Sequence, residues 1–385
     1  MLKKFSVKNF KNFKNEIVLD FTKVGNYQFS TDCLSNGLIS KMLIYGRNAT
    51  GKTNFIRAIS DIRNLILDIP ILDRGAILNA DTDEKTIDFR YVYNIDNQEI
   101  TYNYSRLPSG LLTIEELYLN KKRIFRCEFQ MNHYDFSGLN LVSAKTLNSD
   151  VFLNSIYKTN GTHSVLENTV PFLRWIIANT VLENSNVLKK LFVQIALIVD
   201  VLDQGNSDKH NRVEIDAFFK RLESETELKR FNTFLNDMGV DCRLQLKKLP
   251  DGRNELYFVH DKNLVPFYAT ASSGTLAISN LYRSIFFESA IGPSFLLLDE
   301  FDAYYHYEMA NNLVRYLKNH YRSTQVILTT HNTNLISNNL MRPDCLFILS
   351  RDGRLTPFNR ATQRELREGH NLEKMYISGE FEKYE

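Results

Sequence analysis

Apolar residues follow distinct patterns along the chain, and each pattern predicts a different kind of element. Short runs in which nearly every residue is apolar occur at residues 42–45, 295–298 and 326–328, which is typical of strands buried on both faces of a parallel sheet. Between residues 86 and 129, apolar residues alternate with polar ones, and turn residues separate the runs. This period of two predicts an antiparallel meander.

Helical spacing of apolar residues appears in two other parts of the chain. It follows the first buried run, from Phe55 to Ile66, and it recurs from about residue 165 to residue 238, where residues 213–235 predict a single further helix. The second region holds no sustained heptads, so we expect a compact helical lobe instead of a long coiled coil. A hairpin is predicted around Pro250-Asp251-Gly252.

The first buried run leads directly into a phosphate-binding motif. Residues 46–53 read Gly-Arg-Asn-Ala-Thr-Gly-Lys-Thr and match the P-loop pattern G-x-x-x-x-G-K-[ST] in every fixed position. The order strand, loop, helix directs the loop amides and the helix N-terminus at an anion. Lys52 can then reach the β- and γ-phosphates of a nucleotide, and Thr53 can offer its hydroxyl to Mg²⁺.

Later motifs strengthen this interpretation, although each has a simpler reading when taken alone. The run at residues 295–298 ends in Asp299 and Glu300, as a Mg²⁺-holding strand requires, or as a core strand with a solvated acidic pair would. A Ser-Ser-Gly-Thr loop at residues 272–275 precedes a helical pattern and suits an anion, but capped helices also begin this way. A further buried strand ends at His331, a residue type that is more often structural than catalytic.

Together, these motifs resemble the ABC class of ATPases, in the branch that includes SMC proteins, RecF and the OLD family. Residues 5–13, Phe-Ser-Val-Lys-Asn-Phe-Lys-Asn-Phe, resemble the strand and N-F-x-x-F segment that opens this branch. The chain is closer still to small bacterial ATPases of phage-defence loci, of the RloA and AbiL type. That similarity rests on the Ser-Ser-Gly-Thr loop and on the ending Tyr-Ile-Ser-Gly-Glu-Phe at residues 376–381.

The resemblance implies a role for each motif residue. Glu300 would be the catalytic base, His331 the switch histidine and Lys52 a further catalytic residue, while Thr53 and Asp299 would bind Mg²⁺. The signature loop departs from the usual L-S-G-G-[QE], with Ala271 and Thr275 at its ends. The residues implied in ATP binding are Asn48, Ala49, Thr50, Gly51, Lys52, Thr53, Asn54, Ser272, Ser273 and Gly274.

We therefore predict an α/β fold of the ABC-type P-loop NTPase class, with an antiparallel β subdomain and an inserted helical lobe. Residues 1–135 and 241–385 would form the two parts of the ATPase, and residues 136–240 the lobe. Gln98 is a candidate for the glutamine of a Q-loop or, alternatively, a hairpin-turn residue. By the resemblance, a signature loop does not reach the P-loop of its own subunit, which implies an ATP-dependent homodimer or a higher oligomer.

Composition narrows the class of protein. The formal net charge is +2, so no strong attraction to nucleic acid or membrane follows from it. The sequence contains no apolar run long enough to span a membrane and no apolar signal region near Met1. Four cysteines lack paired spacing, which favours reduced thiols in the cytoplasm.

The biological role leaves alternatives. The first, which the Ser-Ser-Gly-Thr loop and the ending at residues 376–381 favour, is a phage-defence sensor ATPase that controls a separately encoded nuclease or toxin. The second is a RecF-like repair ATPase that binds DNA; clusters such as Lys121-Lys122-Arg123 could contact phosphates or could be solvated turns. The third, an OLD-type nuclease, requires a Toprim domain after the ATPase, and only about fifty residues follow His331.

Overall fold

The computed structural model describes residues 1–70, 77–144, 147–160, 163–166, 170–202, 212–287 and 292–385. Its strands, in chain order, are β1 Leu2–Lys8, β2 Ile17–Asp20, β3 Leu34–Ser35, β4 Leu38–Ile39, β5 Lys41–Tyr45, β6 Ile87–Ile95, β7 Gln98–Arg106, β8 Leu112–Leu119, β9 Lys122–Glu128, β10 His133–Asp135, β11 Tyr157–Asn160, β12 His163–Leu166, β13 Ile198–Val201, β14 Leu244–Lys248, β15 Asn254–Val259, β16 Leu264–Pro266, β17 Phe295–Leu298, β18 Gln325–Thr330, β19 Leu346–Leu349 and β20 Leu355–Pro357.

The α-helices connect and cover these strands. They are α1 Lys52–Leu67, α2 Ser149–Ile156, α3 Phe172–Asn179, α4 Val187–Ala196, α5 Arg212–Leu222, α6 Glu225–Asp237, α7 Phe267–Thr270, α8 Ser273–Phe287, α9 Tyr307–His320 and α10 Leu372–Ile377. Within the described parts of the chain, no helix combines the length and apolar character that a membrane crossing needs.

A six-stranded sheet in the order β13-β17-β18-β5-β19-β20 forms the centre of the molecule, and only β20 runs antiparallel to its neighbour. Every residue of β5, β17, β18 and β19 is buried, which explains the apolar run within each of these strands. The register aligns the ends of three strands: Leu298 lies opposite Leu328, and Thr330 lies opposite Tyr45. The residues that follow these strands therefore meet at one edge of the sheet.

A seven-stranded antiparallel sheet in the order β10-β9-β8-β7-β6-β1-β2 packs beside the central sheet. Its aromatic side chains cover helix α1: the hydroxyl of Tyr91 donates to the carbonyl oxygen of Ala58 at 2.9 Å, and that of Tyr104 donates to Asp61 at 2.6 Å. The buried carboxylate of Asp61 also pairs with Arg106. Contacts of this kind fix the helix that carries the P-loop against the sheet.

The predicted fold class, α/β with an antiparallel β subdomain, is confirmed. The meander occupies the predicted span, and the predicted hairpin around Pro250 is β14–β15, extended by β16. Gln98 pairs with Ile95 across the β6–β7 turn, in agreement with the hairpin interpretation of this residue. The division at residues 135 and 240 stays a prediction.

Two details of the helical region were predicted wrongly. Ile198–Val201, within the stretch expected to be helical, is strand β13 and pairs with β17 in the central sheet. A continuous apolar run does not reveal by periodicity where a helix ends and a buried strand begins. The single helix expected over residues 213–235 is two helices, because the backbone at Ser224 is extended, with φ −74° and ψ 121°.

Candidate functional site

The P-loop connects β5 to α1 in a conformation that its sequence makes possible. Ala49 and Gly51 have positive φ angles, 65° and 100°, and Gly51 directly precedes the helix. The φ angle of 100° favours glycine at position 51, and a Cβ atom there would lie 2.3 Å from the Nδ2 atom of Asn12 and would displace that side chain. The loop start is fixed by the amide of Gly46, which donates to the carbonyl oxygen of Thr330 at 3.2 Å.

Asn12 holds the loop from the outside, a contact that the sequence analysis did not assign. Its Nδ2 donates to the carbonyl oxygen of Thr50 at 3.1 Å, and its Oδ1 accepts from the Nδ2 of Asn54 at 2.8 Å. Both partners belong to the predicted ATP-binding set. In the sequence, Asn12 stands out only by its position in the opening segment, residues 5–13.

Lys52 lies across the loop. Its Nζ donates to the carbonyl oxygens of Gly46 at 2.8 Å and Arg47 at 3.2 Å, and it lies 3.6 Å from Oε1 of Glu300. The residue is only 5% exposed. A buried cation at the first residue of a helix favours anion binding at this point.

Asp299 follows β17 and connects the two nucleotide motifs. The Oγ1 of Thr53 donates to its Oδ2 at 2.5 Å, and the Oγ1 of Thr329 donates to its Oδ1 at 2.6 Å. Burial raises the pKa of the Asp299 carboxyl above its usual value, and the hydrogen bonds from Thr329 and Thr53 oppose this shift.

Glu300 occupies an unusual backbone conformation. Its φ angle is 40°, in the left-handed region that costs about 1–2 kcal/mol for a residue with a side chain. Its amide donates to the Oγ1 of Thr329 at 2.8 Å, and its side chain is 42% exposed. The Nδ1 of His331 lies 4.0 Å from Oε1 of Glu300. The side chain of Glu300 therefore lies between Lys52 and His331 and faces solvent.

Thr329 is a second residue that the sequence analysis did not assign. It is fully buried in β18, and its hydroxyl joins the carboxylate of Asp299 to the amide of Glu300. In the sequence, Thr329 is marked only as a polar residue that follows the apolar run 326–328, shortly before His331. That signal is weak, because threonine is common in buried strands.

The predicted signature residues lie apart from this cluster. Ser272 caps α8, because its Oγ accepts from the amide of Thr275 at 3.1 Å. Ser272 and Ser273 are exposed, and a Cβ atom on Gly274 would lie 3.1 Å from the carbonyl oxygen of Tyr304. Among the residues that the structure describes, no hydrogen bond or ion pair joins residues 272–274 to residues 46–54.

The oxygen atoms of Thr53 and Asp299 suit Mg²⁺, which binds few protein oxygens and keeps several waters or phosphate oxygens. In the described ranges, no cluster of three or more His, Cys, Asp or Glu side chains could hold a metal unaided. An ion at this pair would need phosphate oxygens to complete its coordination, so the donor set fits a nucleotide-bound Mg²⁺.

One protein-family model matches the sequence. It is described as "AAA domain, putative AbiEii toxin, Type IV TA system", and it covers residues 146–337, just under half of the chain. Comparison with curated protein sequences gave no match. The matched part includes the predicted signature loop, Asp299, Glu300 and His331 but not the P-loop, and with the site geometry it supports a P-loop ATPase.

Solved SMC head domains resemble the chain along most of its length. One bound to the C-winged helix domain of ScpA has 17% identity and a TM-score of 0.48, over 92% of this chain and 96% of that chain. The SMC head domain from Thermotoga maritima has 17% identity and a TM-score of 0.46, over 92% and 98%. An Smc head from Pyrococcus yayanosii has 13% identity and a TM-score of 0.48, over 98% and 99%. At TM-scores below 0.5 these likenesses carry no information about function.

Proposed function

We propose that this chain is an ABC-type ATPase, which binds ATP at its P-loop and hydrolyses it. One observation carries the proposal: Thr53 donates to Asp299 although 246 positions separate them in the sequence, and Lys52 and Glu300 lie at the same point. A phosphate-binding cation, a pair of oxygen ligands and a solvent-facing carboxylate are the groups that phosphoryl transfer to water requires.

Each residue has a role in this reaction. Lys52 and the loop amides hold the phosphates, and Thr53 with Asp299 would hold Mg²⁺, which neutralises phosphate charge when bound. The Glu300 carboxylate accepts a proton from the attacking water, and His331 orients the water and the terminal phosphate. Thr329 holds Asp299 and Glu300 in position through one hydroxyl. Catalysis is then mainly positioning and charge neutralisation.

We further propose that ATP joins two copies of the chain. The exposed Ser273 begins α8, a helix of 15 residues, and the exposed Ser272 caps it. Within the described chain, neither serine makes a hydrogen bond or ion pair with its own P-loop. A second copy would bring its Ser273 and Gly274 to the terminal phosphate. Hydrolysis removes that bridging group, so the nucleotide acts as a dimerisation switch.

For the biological role, we propose the regulatory ATPase of a bacterial anti-phage system, which acts on a separate nuclease or toxin. The family description, with its putative toxin and type IV TA system, supports a role of this kind. The DNA-binding alternative has less support, because Lys3, Lys4 and Lys8 each pair with a carboxylate. Side chains that are already paired offer little to a phosphate backbone.

Nucleotide binding and hydrolysis by two variants test the catalytic proposal. Lys52→Ala should lose most binding of MgATP, because the triphosphate loses its main cation. Glu300→Gln should bind MgATP as tightly as the parent but hydrolyse it at least about a hundredfold more slowly, because the base is removed. Calorimetry gives the affinity, and phosphate release gives the rate.

Two matched controls accompany these variants. Lys23→Ala removes an exposed lysine, Glu308→Gln removes an exposed carboxylate in the first turn of α9, and both should behave like the parent. Equal MgATP affinity of Lys52→Ala and the parent would place the nucleotide elsewhere. Parent-like turnover by Glu300→Gln would remove the base from the mechanism.

A further inference from the structure

The last part of the described chain packs onto the P-loop. The ring of Tyr376 in α10 meets the ring of Tyr45 at the end of β5, with centroids 4.6 Å apart and an interplanar angle of 64°. Phe381 is fully buried, with its ring centroid 4.7 Å from that of Phe358. Residues 372–385 are thus held against the strand that leads into the loop.

An ion pair closes this contact. The guanidinium of Arg47, the second residue of the P-loop, pairs with the side-chain carboxylate of Glu385. Arg47 has a side chain that is 69% exposed, whereas Glu385 is 15% exposed. The pair therefore lies at the rim of the loop, where solvent and ligands can reach the arginine.

Arg47 also lies next to the phosphate-binding lysine, since its carbonyl oxygen accepts from the Nζ of Lys52 at 3.2 Å. A cavity of about 360 Å³ adjoins it, lined by P-loop residues together with Arg351, Tyr376 and Glu385. The side chain of Tyr376 lines this cavity next to Arg47 and Glu385, and interaction with Tyr376 and with Glu385 raises the pKa of the Arg47 guanidinium. The guanidinium groups of Arg47 and Arg351 make the cavity attractive to anions.

We propose that Glu385 is a built-in competitor of the nucleotide: its carboxylate holds Arg47 in the free protein, and Arg47 contacts a phosphate of ATP once Glu385 is displaced. Carboxylates and phosphates use the same fork of a guanidinium group, so one arginine cannot pair fully with both. A triphosphate carries more charge than a single carboxylate, so it displaces Glu385 from Arg47 when ATP is abundant. This inference rests on the proposed function of the P-loop.

The competition between Glu385 and ATP sets a threshold concentration that ATP must exceed before it binds Arg47. Displacement of Glu385 subtracts from the binding energy of the nucleotide, and it also loosens residues 372–385 from the loop. Nucleotide occupancy is thereby linked to the position of the segment that carries Tyr376. The chain then reports bound ATP on the surface formed by α10 and the residues after it.

A double-mutant cycle on MgATP affinity tests the competition. Glu385→Gln should bind MgATP about two- to fivefold more tightly, the range expected for an exposed ion pair. Arg47→Met should bind more weakly than the parent. The double variant should match Arg47→Met, because Glu385→Gln has no arginine to release. Glu382→Gln is the matched control, since this exposed glutamate lies in the same segment and has no ion pair to Arg47.

The outcomes separate this inference from the proposed function. Failure of the parent to bind MgATP, or undiminished binding by Lys52→Ala, contradicts the proposed function itself. If the parent binds MgATP through Lys52 but Glu385→Gln does not tighten binding, Glu385 is no competitor. If Glu382→Gln tightens MgATP binding as much as Glu385→Gln does, only the general charge of the segment matters. The same conclusion follows if Glu385→Gln tightens binding equally in the Arg47→Met background.

Discussion

At the scale of single residues, the candidate site depends on a hydroxyl group that has no part in the proposed chemistry. Thr329 donates to Asp299 and accepts from the amide of Glu300, so one side chain fixes the proposed Mg²⁺ ligand and the proposed base together. It also supports a backbone conformation at Glu300, with φ at 40°, that is unfavourable by itself. Its role is to position the two acids.

Replacement of Thr329 by valine, which has nearly the same shape, should affect both stability and turnover. The change leaves one lone pair of Asp299 and the amide of Glu300 without their partner, at an expected cost of about 1–3 kcal/mol in the free energy of unfolding. Urea denaturation measures that loss, and turnover should fall with little change in MgATP affinity. Thr329→Ser keeps the hydroxyl and should restore turnover; parent-like turnover in Thr329→Val would contradict the positioning role.

At the scale of elements, the antiparallel sheet anchors helices through buried polar contacts. Glu115 in β8 is fully buried, and it accepts from the amides of Phe172 and Leu173 at the start of α3, at 2.6 and 3.0 Å. The hydroxyl of Tyr102 donates to the same carboxylate at 2.8 Å. A carboxylate at a helix N-terminus is favourable, but its burial is not. Glu115 thus attaches the helical region to the sheet, and it makes both a favourable and an unfavourable contribution to stability.

This anchor predicts a pH dependence of stability. Burial raises the pKa of Glu115 to about 7, against the hydrogen bonds from Leu173, Phe172 and Tyr102. The folded chain therefore holds this proton more tightly than the unfolded chain does. Between pH 4.5 and pH 7 the contribution of Glu115 to stability falls as pH rises, by up to about 3 kcal/mol at roughly 1.4 kcal/mol per pKa unit.

Thermal unfolding from pH 5 to pH 8 checks this prediction. The difference in stability between the parent and Glu115→Gln should shrink or reverse as pH rises through this range, because the variant has no proton to lose. Glu16→Gln, which removes an exposed carboxylate, should leave the pH profile unchanged. Parallel profiles for the parent and Glu115→Gln would show that Glu115 does not titrate in this range.

At the scale of the whole molecule, distant parts of the sequence meet at the central sheet. The side chain of Gln325 at the start of β18 accepts from the amide of Leu2 at 2.7 Å and donates to its carbonyl oxygen at 2.8 Å, which joins the two large sheets. The C-terminal ends of β5, β17 and β18 then assemble the proposed catalytic residues. The predicted signature loop, residues 272–275, stays outside this assembly, and that separation underlies the proposed dimer.

Complementation between two inactive variants tests the shared site. Ser273→Glu places a negative charge on an exposed residue where acidic side chains stabilise a helix, so the fold should tolerate it. Gly274→Asp is less clean, because its Cβ atom would lie 3.1 Å from the carbonyl oxygen of Tyr304. Ser273→Glu and Lys52→Ala should each hydrolyse ATP poorly alone. A mixed dimer has one site with both changes and one with neither, so mixing should restore activity.

Ser273→Ala is the matched control for the charge and should retain most of the activity. Size-exclusion chromatography with light scattering shows whether mixed dimers form. Mixed dimers that stay inactive would contradict two independent composite sites, and normal hydrolysis by Ser273→Glu would contradict the role of the loop.

Local patterns in the sequence determined much of this protein. Unbroken apolar runs specified β5, β17 and β18, alternation specified the meander, and the spacing of glycine, lysine and threonine specified the P-loop. These features depend on neighbours in the chain, whose backbone preferences and side-chain directions repeat with fixed periods. Asp299 and Glu300 could be chosen because they directly follow such a run.

The tertiary structure alone decided contacts between residues far apart in the chain. Nothing local marks Thr329 as the link between two acids, Asn12 as a support of the P-loop, or Glu385 as the partner of Arg47. The strand β13 was missed for a related reason. It is a strand because it pairs with β17, and the spacing of its own apolar residues does not reveal that pairing. Local sequence sets which elements can form, whereas burial, register and charge across the folded chain set which side chains meet.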